Sequence, residues 1–499
     1  MTTVPMKLDT STDPQVGFRP SGTLDVDSAL TPYNGHFSSR HAAHLLRRVG
    51  FGGSAADIAR LTLLGASGAV DSLLHPSGDD LPFDAYPAAE ALYEKNGYKA
   101  RIAAEMWWLD RMLRTRHPFA EKMTLFWHGH FATSVLKVPP VLMVRQIDLL
   151  RAQGLGNFPT LLRSVSVDPA MSIWLDNRAN TKAHPNENFA REVMELFALG
   201  LGNYTESDIK ESARALTGWV YDGKTRSVVF KPRLHDEGTK TFLGQSGHFG
   251  LDDIVNIIAM QPIHQRFISR KLLEYFVYSD PEPDLIEALA QTYALSGADI
   301  AKTVGAIVRS NVFFSSRAYR SMPKSPLDFA IGLLRFAGTQ NVPVTLPSAL
   351  SRMGQEPLNP PSVKGWDGGP TWINTNTLLA RFNFVNAFIA TSAPKSLSKR
   401  TSSIATAPSS APYLQPEAIV QAAGGLDPER IVETIVAAAL QDDVTRDVRQ
   451  TIVDFVNSDG NVTIAGSQAN AVPFGPENYQ EKIRGALALT LNLPVNQLN

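Results

Sequence analysis

Residues 184–200 read HPNENFAREVMELFALG, and this stretch decides the fold. An α-helix advances about 100° per residue. On that wheel Glu187, Arg191, Glu195, Asn188 and Glu192 share one sector of roughly 140°. Phe189, Ala190, Val193, Met194, Leu196 and Phe197 fill the rest. The apolar arc is wider than a surface helix needs, so the segment reads as a well-buried helix whose polar stripe faces a cleft or other polar groups.

Two readings of the stripe stand side by side. Glu187, Arg191 and Glu195 are spaced four apart and form a modest ion-pair ladder on a helix. Three glutamates, however, share a single arginine. A surplus carboxylate on a buried face costs free energy unless it is paired, protonated or bound to a metal. A carboxyl with a raised pKa suits general acid–base chemistry.

Outward from this helix the chain continues as helices. Ser54 and Asp57 have capping-box spacing after the turn Phe51-Gly52-Gly53, and Thr205 and Asp208 repeat it. Ile102, Met106, Leu109 and Leu113 recur on one helix face. His117-Pro118 marks a break before a second helix that runs to about Trp127, and Pro139-Pro140 precedes another. Trp219 to Tyr221 and Ser227 to Lys231, around Asp222-Gly223-Lys224, read as one β-hairpin.

The expected fold class is therefore mainly α: a large single helical domain with a short hairpin insertion near 219–231. Residues 1–37 read as an irregular arm and 38–392 as the helical core. Residues 393–416, rich in Ser, Ala and Pro, read as a linker or insertion. Residues 417–499 read as a helical segment packing on the core. The Pro/Gly-rich stretch 354–374 is a long loop of the kind that carries function.

Composition narrows the function classes. Forty-seven basic and 48 acidic residues give a formal net charge of −1, so there is no electrostatic case for nucleic acid or an anionic membrane. The 43% apolar content suits a protein with a large core. No stretch reaches the length of a membrane span, and no signal peptide is visible. The chain has no cysteine, which excludes disulfides, thiolate catalysis and cysteine-held metal. P-loop, Rossmann, HExxH and GxSxG motifs are absent, so no nucleotide, flavin or haem signature is present.

Further candidates surround the stripe. His128 and His130 flank Gly129; in an extended segment they point the same way and could bind one metal with Glu192, whereas in a helix they diverge. A divalent metal of unspecified identity is the cofactor such a set would hold. The alternative places His128 at a helix C-terminus, where a cation is favoured. His235-Asp236 could orient an imidazole or form a polar turn. Asp176 ends an apolar segment. Trp127, Trp219, Trp366 and Trp372, with Lys364, could form platforms for a sugar polymer, although tryptophan more often packs in cores.

Several stretches together resemble one bacterial family, domain of unknown function 1800. They are HLLRRVGFG at 44–52, WHGHF at 127–131, DPAM at 168–171 with Leu175-Asp176-Asn177, and PNENFAREVMELFALG. Ala215 to Trp219, His235-Asp236 and NPPSVKGWDGGPTWIN complete the pattern. The resemblance covers residues 38–392 and returns near 482–493. It implies an exported protein with an exported partner, in the periplasm or outside the cell, and no defined activity.

The leading expectation is a metal- or carboxylate-dependent hydrolase of an envelope or extracellular polymer such as a polysaccharide. In it, Glu187, Glu192, Glu195, Arg191, Asp176, His235 and Asp236 do the chemistry. The alternatives are a non-haem-iron type oxidoreductase using two histidines and a carboxylate, and a non-catalytic scaffold.

Overall fold

The computed structural model describes residues 26–83, 97–391, 415–458 and 473–499. Most of the arm expected at 1–37 and the linker expected at 393–416 lies outside them. The described chain is mainly α-helical, with two small antiparallel two-stranded sheets. None of its helices is long and apolar enough to cross a membrane.

Local chemistry sets many helix starts. Ser54 accepts from the Asp57 N–H at 3.2 Å and Thr205 from the Asp208 N–H at 3.1 Å, while each aspartate accepts from its cap's N–H at 2.9 Å. Both capping boxes read from the sequence are present. Proline opens the helices Pro118–His130, Pro140–Gln153 and Pro262–Phe276, where its missing N–H costs nothing.

One contiguous apolar core runs through the molecule, with Trp108, Trp127, Phe131, Phe158, Phe189 and Phe197 among its bulkiest members. Trp108 of the helix Gly97–Arg114 donates to Glu121 at 2.9 Å, so a buried carboxylate and indole satisfy each other. The C-terminal helices, from Pro416–Ala423 to Tyr479–Leu491, contact the rest through Thr375–Thr391 and through a bridge between Pro323 and Leu498.

The hairpin pairs Trp219–Asp222 with Ser227–Phe230, Trp219 opposite Phe230. A second hairpin, Lys240–Phe242 with Gln245–Gly247, was not anticipated. Its turn is Leu243-Gly244, both at positive φ, as a tight two-residue reversal requires.

Candidate functional site

The carboxylate helix begins at Asn186, whose side chain accepts from the Phe189 N–H at 3.0 Å. Its amide donates to Leu175 O and Asn177 Oδ1, and the Asn186 N–H donates to Asn180 at 3.1 Å. These asparagines clamp the polar loop around the helix start. The helix is α only over Glu187–Glu192; Val193–Ala198 widens into a π-turn, with the Leu199 N–H reaching back to Met194 O at 2.7 Å. A uniform 100° wheel therefore misplaces everything after Glu192. Such turns recur at functional sites.

The widened end leaves successive carbonyls without helical partners. His130 Nε2 donates to Phe197 O and His264 Nδ1 to Ala198 O, each at 2.9 Å. A carbonyl only accepts, so these nitrogens carry the protons. His264 Nε2 then accepts from the Tyr293 hydroxyl at 2.9 Å. Burial pushes the His130 and His264 pKa values down, His264 to about 4.

The polar sector is arranged differently from the expected ladder. Arg191 does not bridge Glu187 and Glu195. It grips Glu206, at the start of the helix Glu206–Ala215, through both terminal nitrogens at 3.0 and 2.9 Å. Glu195 accepts from the Tyr204 hydroxyl, and burial and Glu195 together push that phenol up to about 12. Glu187 is exposed. Glu192 is half-buried, and its pKa is raised by desolvation and then by the Glu195 charge, against the pull of Arg191. The stripe thus resolves into one solvated carboxylate, one tethered carboxylate and one carboxyl held toward its neutral form.

His128 and His130 both belong to the helix Pro118–His130 and so diverge. His128 is fully buried between Trp108 and Trp366, with ring centroids at 5.3 and 5.6 Å, and among the described residues neither of its nitrogens has a hydrogen-bond partner. Burial lowers its pKa to about 3. The expected set of His128, His130 and Glu192 is not assembled: among the described residues no three His, Asp or Glu side chains are placed to hold one ion.

The remaining candidates are dispersed. His235 Nδ1 donates to Thr217 O at 2.9 Å, while Asp236 is clasped by Arg214 at 2.8 and 3.1 Å and driven down to about 2. Asp236 therefore orients an arginine, not its neighbouring imidazole. Asp176, at φ 55°, takes the Lys137 ammonium on both oxygens at 2.9 Å in solvent. Trp127 is core, donating to Gly154 O at 2.7 Å, and Trp372 is buried. Trp219 and Trp366 are half-buried, so a face of each could meet a ligand. Lys364 pairs with Asp367 at 2.8 Å on the surface.

Asp168 was passed over in the sequence except as part of the resemblance. It caps the helix Pro169–Trp174, accepting from the Met171 N–H at 2.9 Å and from Gln146 at 2.7 Å. It is buried without a cation, and desolvation pushes it up to about 7. The cap spacing was legible; its burial was not.

The model of a family described as "Protein of unknown function (DUF1800)" matches residues 44–498. No curated protein and no solved structure matches the chain.

Proposed function

The chain belongs to the DUF1800 family, and we propose that it is a carboxylate-dependent hydrolase acting on an envelope or extracellular polymer such as a polysaccharide. The observation that supports this reading is the Glu192–Glu195 pair. Glu192 is held toward its protonated form, and Glu195 stays the acceptor of the Tyr204 hydroxyl. A carboxyl whose surroundings raise its pKa suits the acid of an acid–base pair. In this reading Glu192 gives its proton to the leaving oxygen, and Glu195 accepts one from water or attacks directly. Glu192 ends the α-helical part and Glu195 lies in the π-turn that follows.

Half-buried Trp366 and Trp219 are the aromatic faces available to a sugar ring. The test is release of new reducing ends from a panel of purified polysaccharides by wild type, Glu192→Gln and Glu195→Gln. Release by wild type that both variants lose supports the reading. Release that survives both substitutions, or none from any polymer, overturns it.

A second reading, a non-catalytic scaffold with an exported partner, draws on a different observation: two histidines near the stripe are spent capping its helix. The oxidoreductase alternative needs two histidines and a carboxylate around one iron, a set that the described residues do not bring together.

A further inference from the structure

None of the candidate site residues discussed above lines the open cleft between the helices Ser39–Val49, Pro326–Phe336 and Pro428–Leu440. One wall is apolar and includes Leu46, Phe51, Ile58, Phe329, Leu333 and Phe336. The polar lining comprises Arg47, Arg320, Lys324 and Asp328, with Gln441 and Asn496.

The charges of the polar lining do not balance. Arg47 is 8% exposed. One of its terminal nitrogens donates to Gln441 Oε1 at 3.0 Å, and its guanidinium lies over the Tyr319 ring at 5.5 Å, while its Nε and other terminal nitrogen have no hydrogen-bond acceptor among the described residues. Lys324 donates to Asn496 Oδ1 at 3.0 Å; burial and then the charges of Arg47 and Arg320 depress its pKa strongly. The nearby carboxylates are already engaged. Asp328 pairs with Lys122, and Asp443 with Arg40 and Arg320. Arg381 adds a further buried cation, its guanidinium donating to Gln497 Oε1 and Lys324 O.

A buried guanidinium with two N–H directions unspent is costly unless an anion takes them. The cleft pairs an apolar lining with a few convergent polar groups, the composition of small-molecule sites. We propose that this cleft binds a small amphipathic oxyanion, its carboxylate or phosphoryl head on Arg47 and Lys324 and its apolar body against Phe51, Phe329 and Leu333. This site is independent of the Glu192–Glu195 reading and is tested by binding alone.

Calorimetric titration of the purified chain with octanoate, octyl phosphate, inorganic phosphate and octyltrimethylammonium tests it, the first two distinguishing a carboxylate head from a phosphoryl head. The expectation is one saturable site for at least one of the two amphipathic anions. Inorganic phosphate should bind at least about tenfold more weakly and the cation not at all. Arg47→Gln should weaken binding about tenfold or more, the scale of one charge-assisted hydrogen bond. Arg47→Lys should recover part of it. Ala439→Phe, at a half-buried position on the cleft wall, fills the space without removing a buried charge and should abolish binding. Absence of saturable binding by either amphipathic anion overturns the proposal. So does equal binding of the cation, or unchanged affinity in the folded Ala439→Phe variant.

Discussion

The His130 imidazole donates from Nε2 to the carbonyl oxygen of Phe197 at 2.9 Å, across 67 positions of sequence. With His264 on the next carbonyl, it closes the widened end of the carboxylate helix. Glu195 lies in that turn and Glu192 directly precedes it, so these histidines hold the helix end that carries the candidate site without belonging to it.

His130→Ala removes the donor and leaves a cavity among Trp127, Phe131 and Phe197. An unsatisfied buried carbonyl costs about 1–3 kcal/mol, and the cavity raises the total to roughly 2–5 kcal/mol. Urea unfolding should show this loss; a change below about 1 kcal/mol would mean that the carbonyl finds another partner.

Stability should fall as the solution is acidified from neutrality. His41, His44, His128, His130 and His264 all have folded-state pKa values pushed below the ordinary 6.5, to about 4 for His41 and His264 and about 3 for His128. Below pH 6.5 the unfolded chain takes up protons that the folded chain refuses, so each histidine's contribution is complete above that pH. It is lost progressively as pH drops toward 4 and below, by up to about 1.4 kcal/mol per pH unit for each buried ring. Melting temperature measured from pH 7 to 5 should decline steadily; a flat profile contradicts the burial of these rings as neutral groups.

Asp168 acts in the opposite sense. Its folded pKa is raised to about 7, so its contribution is complete below about 3.8 and is lost as pH rises through 7. Asp168→Asn does not titrate. Wild type should therefore lose stability relative to the variant between pH 4 and 8, by up to about 1.4 kcal/mol per pH unit. Parallel stability curves over that range would show that Asp168 is hydrated or paired.

Gly365 lies at φ 86°, and a Cβ there would sit 2.2 Å from Gly129 O. This contact seats the Pro/Gly-rich loop on the end of the helix that carries His128, bringing Trp366 against that ring. Gly365→Ala combines a left-handed backbone with a backbone clash, and should cost about 2 kcal/mol or more. Denaturant midpoints check the value; a neutral substitution would mean that the loop docks elsewhere.

Local signals made much of the fold legible. Capping boxes at Ser54 and Thr205, the proline helix starts and the Trp219–Phe230 hairpin all depend on neighbours within a few residues. The apolar arc of the carboxylate helix was legible for the same reason: Phe189, Val193, Met194 and Phe197 are buried. What was not legible depends on distant partners. Glu206, which takes Arg191, lies beyond a loop, and the carbonyls that occupy His130 and His264 lie about 66 positions away. The π-turn follows from those tertiary contacts, so a periodicity that assumes regular helix could not foresee it. Arg47 likewise was visible as a motif residue, but its unspent donors exist only once Gln441 and Asn496 arrive from the other end of the chain.

The central claim rests on Glu192 as the proton donor. Its most direct test is the initial rate of polymer hydrolysis by Glu192→Gln beside wild type, with thermal unfolding of both. The account predicts a rate lower by about 10²–10⁴-fold, the usual contribution of a positioned acid, with little change in melting temperature because the side chain is half-exposed. A Glu192→Gln protein that unfolds normally and hydrolyses polymer at the wild-type rate would contradict it.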